Sequence, residues 1–278
     1  MNIVLTCINN YQSYILANIK QLIKLEHKNI YVITNKQFFY NFENYDVKLI
    51  NIDELPDSYN FKRRSRLDRR FRNGFMMLCS FRFFLIYAFM KKYNIDNVIH
   101  LENDVTIYYN CDILLDILGK SNRMYIPFDS FTRNIASIIY IPNHALFKNI
   151  LDRYNLVQND MYNFRNILVK TNYIDTFPIF ISNNESNESN EIQFVSRNYT
   201  LFNYIFDAAA IGQYLGGTDP IHNNGIGFVN ETCVIKYNKY EFIWEIVDGI
   251  RKPFMRINNT SIPIFNLHIH CKDLDRFT

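Results

Sequence analysis

Paired cysteines are missing from this sequence. Its five cysteines, Cys7, Cys79, Cys111, Cys233 and Cys271, are odd in number, scattered and never in a CxxC. That pattern argues against a disulfide framework and a structural zinc site, and for free thiols in a reducing compartment such as the cytoplasm. No apolar run reaches the roughly eighteen residues of a membrane span, so no transmembrane segment is expected. The opening "MNIVLTCINN" has no basic region and no small-residue cleavage site, which speaks against a secretory leader. A strong charge of one sign is absent too. The net charge of +3 gives no case for a nucleic-acid partner. There is no internal repeat, and nothing sets an oligomeric state.

What is present suffices for a large core. The chain has 278 residues, 48% hydrophobic and 16% aromatic, which fits one large α/β domain or two small ones. One basic stretch stands out, "FKRRSRLDRRFR" at 61–72. It reads either as a solvated loop leading into a helix or as a basic rim that attracts an anionic substrate or surface. A single aromatic, Phe71, stands between its cations, too few for a base-stacking platform.

Apolar runs alternate with helical patterns through the first half. Strands are expected at Ile3–Ile8, 29–34, 47–52, 97–102 and 123–128, with helices at about 14–23 and 74–93. The second helix, "GFMMLCSFRFFLIYAFMKKY", is apolar almost all round and therefore central. Such alternation predicts a mixed, mostly parallel, Rossmann-type sheet flanked by helices, with ligands at the carboxyl ends of its strands. Further along, 136–143 reads as a strand that runs antiparallel, and 144–154 and 159–169 as helices. The polar stretch 182–191 reads as a low-complexity loop, and 205–215 as a short helix stopped by Gly216-Gly217. The simplest account is a single domain, with a nucleotide-binding half over 1–130 and an acceptor-side half over 131–278.

The chemistry centres on "NVIHLENDVTIYYN", 97–110. Glu102 and Asp104 stand at the end of an apolar strand, and point the same way if the backbone stays extended. Partly desolvated and mutually repelling, they call for a cation such as Mg²⁺ or Mn²⁺. The plain alternative is that Asn103-Asp104 forms a turn with Glu102 exposed. Near the C-terminus, "NLHIHCK" alternates His268, His270 and Lys272, which share one face in an extended segment. Imidazole nitrogens can complete a carboxylate-held ion, and lysine suits phosphate; the alternative is two packed or exposed histidines. Arg82, set among phenylalanines, needs an anionic partner: a structural acid such as Glu102, a phosphate, or the acids that hold the metal. Asp207 reads as a helix N-cap or as a carboxylate facing a sugar, with Gln213 and the 216–219 loop framing the pocket. Asp129 and Asp160 are weaker candidates of the same type.

Together these features resemble the GT-A-type glycosyltransferases. The likeness rests on Glu102-Asn103-Asp104 in place of the family's DxD, on "FDAAAIGQYLGG" as an acceptor-side helix, and on "LHIHCK". It runs in order over most of the chain, and enzymes of this type from large DNA viruses read similarly, which would place the protein in the host cytoplasm. The resemblance implies Mn²⁺ or Mg²⁺ on Asp104, with Glu102 assisting at the metal or the ribose and His268 or His270 as a further ligand. Lys272 would hold the diphosphate, and Thr6, Cys7 and Asn9, with Arg82, Asn103 and Gln213, would line the nucleotide-sugar pocket. Asp207 is the expected base in an inverting enzyme. The implied partners are a UDP- or GDP-sugar donor and a hydroxyl acceptor such as a glycan. Two other readings stand beside this one: a metal-dependent phosphohydrolase or nucleotidyltransferase built from the same acids and histidines, and a non-catalytic carbohydrate binder descended from a transferase that would stack sugars on exposed aromatics.

Overall fold

The computed structural model describes residues 1–181, 189–219 and 230–278. Its first sheet is built from β1 (Asn2–Cys7), β2 (Ile30–Thr34), β3 (Lys48–Asn51) and β4 (Val98–Leu101), with β6 (Met124–Pro127), β7 (Ile138–Ile141) and β8 (Ile174–Phe177). The order is β3-β2-β1-β4-β7-β6-β8. Only β7 runs against its neighbours, pairing antiparallel with both β4 and β6. The mixed, mostly parallel sheet expected from the sequence is therefore present, including its one reversed strand. Strand pairing crosses residue 130, because β7 and β8 complete the sheet begun by β1 to β4.

Side chains on β1 alternate between two cores, as the two-residue period of a strand requires. Ile3, Leu5 and Cys7 pack with helix α1 (Ile15–Lys24) on one face, and Val4 joins the other face. There α2 (Phe61–Arg64) and α3 (Phe75–Tyr93) lie, and every residue of α3 from Ser80 to Met90 is buried. By length and composition the segment Phe71–Tyr93 could cross a membrane, which qualifies the expectation of no spanning segment; 67% of its most apolar window is buried in the molecule. Shorter helices α4 (Leu115–Leu118), α5 (His144–Leu151) and α6 (Asp160–Leu168) cover the remaining strands.

A second sheet was not foreseen. It joins β5 (Val105–Ile107) to a C-terminal meander of β10 (Glu241–Val247), β11 (Ile250–Ile257) and β12 (Thr260–His268), in the order β10-β11-β12-β5. The short strand β9 (Ile205–Phe206) pairs with β12. The β10–β11 hairpin turns at Asp248-Gly249, a strong hairpin signal, with Gly249 at φ 72°. Of the polar stretch 182–191, residues 182–188 lie outside the described residues. Its end opens α7 (Asn190–Ser196), capped by the Ser189 hydroxyl, which accepts the Ile192 N–H at 3.3 Å. Helix α8 (Tyr199–Phe202) follows, and the expected helix over 205–215 shrinks to α9 (Ile211–Tyr214).

Candidate metal centre

Strand β4 ends at Leu101 and the backbone turns at once, with the Val105 N–H donating to the Glu102 carbonyl at 3.0 Å. The extended geometry expected for Glu102 and Asp104 is thus replaced by a tight turn. Asn103 is locked inside it: its side-chain amide donates to the Thr6 carbonyl at 2.7 Å and to Gln12. From that turn the chain enters β5, which pairs antiparallel with β12 so that Val105 lies opposite His268. This register delivers the histidines to the acids across more than 160 residues of sequence.

The result is a compact cluster. Potential ligand atoms of Asp104, His268 and His270 all lie within 4.8 Å of one another. His268 Nε2 is 3.3 Å from Asp104 Oδ2 and 3.3 Å from Glu102 Oε2. The two imidazoles meet edge to face, with Nε2 atoms 3.1 Å apart. Lys272, at the left-handed φ of 66°, brings its ammonium onto Asp104 Oδ2, and its side chain remains 39% exposed. The backbone leaves the strand after His268, so Lys272 arrives by a turn rather than by strand alternation.

Charge in this confined space moves the protonation equilibria. Burial opposes ionisation of Asp104, but His268 and Lys272 prevail and hold the carboxyl well below its ordinary range. Burial likewise opposes charge on His268, which Asp104 and then Glu102 overcome, raising its pKa. His270 is pushed down to about 3 by burial and by the charge on His268. His270 thus stays neutral, as a ligand must. One carboxylate with two imidazoles, and a second carboxylate within reach of one ring, is a donor set that fits a divalent first-row ion such as Mn²⁺.

Supporting residues fix the ligands. Gln213 on α9 lies with its amide nitrogen 2.7 Å from His270 Nδ1, while its amide oxygen is buried with no partner. Exchanging the two amide atoms makes the oxygen accept from Nδ1–H and turns the Nε2 lone pair of His270 toward the cluster. Gly212 permits the close approach of α9 to β12, since a Cβ there would sit 2.3 Å from the His268 carbonyl oxygen.

Asp207 requires a correction. Its carboxylate is fully buried and accepts four backbone N–H groups, from Ala210, Ile211 and Gly212 at 2.8 Å and from His268 at 2.9 Å. No lone pair faces a substrate, so the expected base is a structural clamp that holds Ala209 in a left-handed turn (φ 54°) and binds α9 to β12. Arg82 is also structural. It is 6% exposed and sits between Glu102 and Asp160, bonded to both, the latter at 3.1 Å. The expected phosphate contact is thus replaced by an ion pair that steadies Glu102. Asp129 is tied to Arg133, Asn230 and Thr232.

Thr6 and Asn9 lie at the carboxyl end of β1 beside the turn, and the Asn9 N–H donates to Asn35 at 2.7 Å. The Cys7 side chain is buried in the core, its thiol pushed up by burial, so only its backbone can face a ligand. Sequence reasoning missed Tyr14, whose ring lies 5.4 Å from the Lys272 ammonium, and Asn18, whose amide donates to the Glu102 carbonyl at 3.3 Å. Both sit on the first helical stretch with nothing in the sequence to mark them. Two clefts of about 510 and 740 Å³ lie elsewhere, by Lys170 and Lys120, near the amino ends of β6 and β8. Neither contains the acid–imidazole cluster.

No protein-family model matches the chain, and no curated protein matches its sequence. Among solved structures the fold is similar to galactosyltransferase LgtC in complex with donor and acceptor sugar analogs, at 14% identity, covering 64% of this chain and 73% of that one, TM-score 0.40. It is similar also to the glycosyltransferase GlyE of Streptococcus pneumoniae, at 14% identity, covering 64% and 47%, TM-score 0.42. A third similarity is to a cytidylyltransferase of Leptospira borgpetersenii, at 12% identity, covering 73% and 84%, TM-score 0.40. At scores this low the likeness carries no argument about activity, and the functional case rests on the side chains.

Proposed function

We propose that this chain is a metal-dependent glycosyltransferase that moves a sugar from a UDP- or GDP-sugar to a hydroxyl of a glycan acceptor. The observation that carries this reading is the meeting of Asp104, His268, His270 and Lys272 at the carboxyl edge of a Rossmann-type sheet. Asp104, His268 and His270 would hold the ion, and Glu102, steadied by Arg82, lies beside them. When bound, Mn²⁺ or Mg²⁺ supplies positive charge against the negative charge that builds on the departing nucleoside diphosphate. Lys272 is the most open member of the cluster, and its ammonium can pass from Asp104 to a diphosphate oxygen. Thr6 and Asn9 border the same edge and would contact the nucleoside, whereas the buried side chain of Asn103 would hold the turn that carries Glu102 and Asp104. A retaining transfer needs no base where Asp207 stands, and the commitment of that carboxylate to backbone amides favours this course. The five unpaired thiols support work in a reducing compartment.

The test is release of UDP or GDP from a panel of nucleotide sugars, with and without Mn²⁺ and a glycan acceptor. The expected result is release that needs the metal and rises with acceptor. Failure of every nucleotide to bind with any divalent ion would sink the reading. Fast release of inorganic phosphate without acceptor points instead to a phosphohydrolase, and glycan binding without nucleotide binding to a non-catalytic binder.

A further inference from the structure

We propose that the segment Lys62–Phe75 docks the protein onto an anionic lipid surface. This inference does not depend on the reaction assigned to the metal centre. Three observations carry it.

The first is unpaired charge on a pinned backbone. Phe61, Ser65 and Leu67 are buried, and Arg66 N–H donates to the Leu156 carbonyl at 3.0 Å, so the segment is anchored to the body of the protein. Between and just beyond these anchors Lys62, Arg63, Arg64, Arg66, Arg69 and Arg70 are exposed. Among the described residues none of the six pairs with an acid. The seventh cation, Arg72, reaches Asp219 at 3.6 Å. The one acid inside the run, Asp68, accepts the backbone N–H groups of Arg70 and Phe71 at 2.7 and 3.3 Å.

The second is apolar surface beside that charge. Phe71 and Phe75 are each 44% exposed and pack edge to face with ring centroids 6.5 Å apart, with Met76 and Met77 half-buried behind them. A solvated loop has no use for two exposed phenylalanines. Cations flanking exposed aromatics are what a protein resting on anionic headgroups presents, since the charges meet phosphate and the rings enter the acyl boundary. A nucleic acid is less well served: the two rings pack on each other, and the Arg72 guanidinium lies over Phe71 at 5.6 Å.

The third is location. Phe75 begins α3, and Arg82, seven residues or about 10 Å further along the helix, holds Glu102 of the candidate metal centre. A bilayer on the Phe71–Phe75 end would therefore lie close to that centre.

The test is co-sedimentation of the full chain with vesicles of phosphatidylcholine alone and of phosphatidylcholine with about a third phosphatidylglycerol. Partition onto the anionic vesicles is expected, with little onto the neutral ones, and it should weaken as salt rises. With each cation near the surface contributing about fivefold, the triple variant Arg63→Gln/Arg66→Gln/Arg70→Gln should partition on the order of a hundredfold less well. Phe71→Ser/Phe75→Ser should also bind more weakly while keeping the wild-type salt dependence. All variants change exposed side chains, and circular dichroism verifies that they fold. Equal partition of wild type and triple variant, no binding to anionic vesicles, displacement by millimolar inorganic phosphate at constant ionic strength, or tighter binding to a short single-stranded oligonucleotide would each overturn the proposal.

Discussion

The buried carboxylate of Asp207 accepts the backbone N–H of His268 at 2.9 Å, so one acid in the 205–215 segment fixes the strand end that carries an imidazole to the candidate metal centre. The same carboxylate binds the first turn of α9, from which Gln213 reaches His270. The two rings of the cluster are thus positioned through a single side chain that touches neither ring.

A structural role for Asp207 has a measurable signature. Asp207→Asn replaces acceptors with a donor in a site where all four partners are N–H groups. Losing at least one charged hydrogen bond and leaving buried donors unmet should cost about 3 kcal/mol of stability. Urea unfolding at neutral pH reads this directly. A variant as stable as the wild type but without activity would instead restore Asp207 as a chemical group.

Gln213 should act on affinity for the ion. Gln213→Leu removes the partner that fixes the orientation of His270, and Mn²⁺ affinity by calorimetry should fall about tenfold to a hundredfold. Gln213→Glu, which still accepts from Nδ1–H, should retain or exceed wild-type affinity. Equal loss in both variants would contradict the positioning role.

Much of this arrangement was legible in the sequence. The apolar run into Glu102 and Asp104 marked a strand end, and the closely spaced His268, His270 and Lys272 marked their partners, although only His268 lies on a strand. Burial of Arg82 among phenylalanines called for an acid, and Glu102 is that acid. The roles of Asp207 and Gln213 were not legible, because whether a carboxylate faces solvent or four backbone amides is decided by how β12 packs on α9. The second sheet is marked in the sequence only at its turns, Asp248-Gly249 and Asn258-Asn259, because its strands lie outside the strand–helix alternation that sets the fold class. The left-handed φ values at Asn258 and Asn259 (46° and 65°) show the turn chemistry that was there to be read.

Acid should weaken the fold through His27. Burial, countered in part by Asp112, lowers its pKa to about 4, and the Cys111 N–H donates to its Nε2 at 3.3 Å, a bond that protonation removes. The unfolded chain takes up a proton near pH 6.5 that the folded chain refuses until about pH 4. Stability therefore falls as pH drops through that window, by about 3 kcal/mol from this residue. His27→Gln keeps an acceptor and removes the titration, so its urea midpoint should decline less between pH 7 and pH 4. Parallel declines in the two proteins would contradict the assignment.

The most direct measurement is the number and affinity of Mn²⁺ ions bound, followed by electron paramagnetic resonance of the free ion, for wild type, Asp104→Ala and His268→Ala. One ion per chain is expected, with binding weakened by at least tenfold in each variant while circular dichroism shows both still folded. Unchanged Mn²⁺ binding in the two folded variants would contradict a shared cation at the junction of β5 and β12.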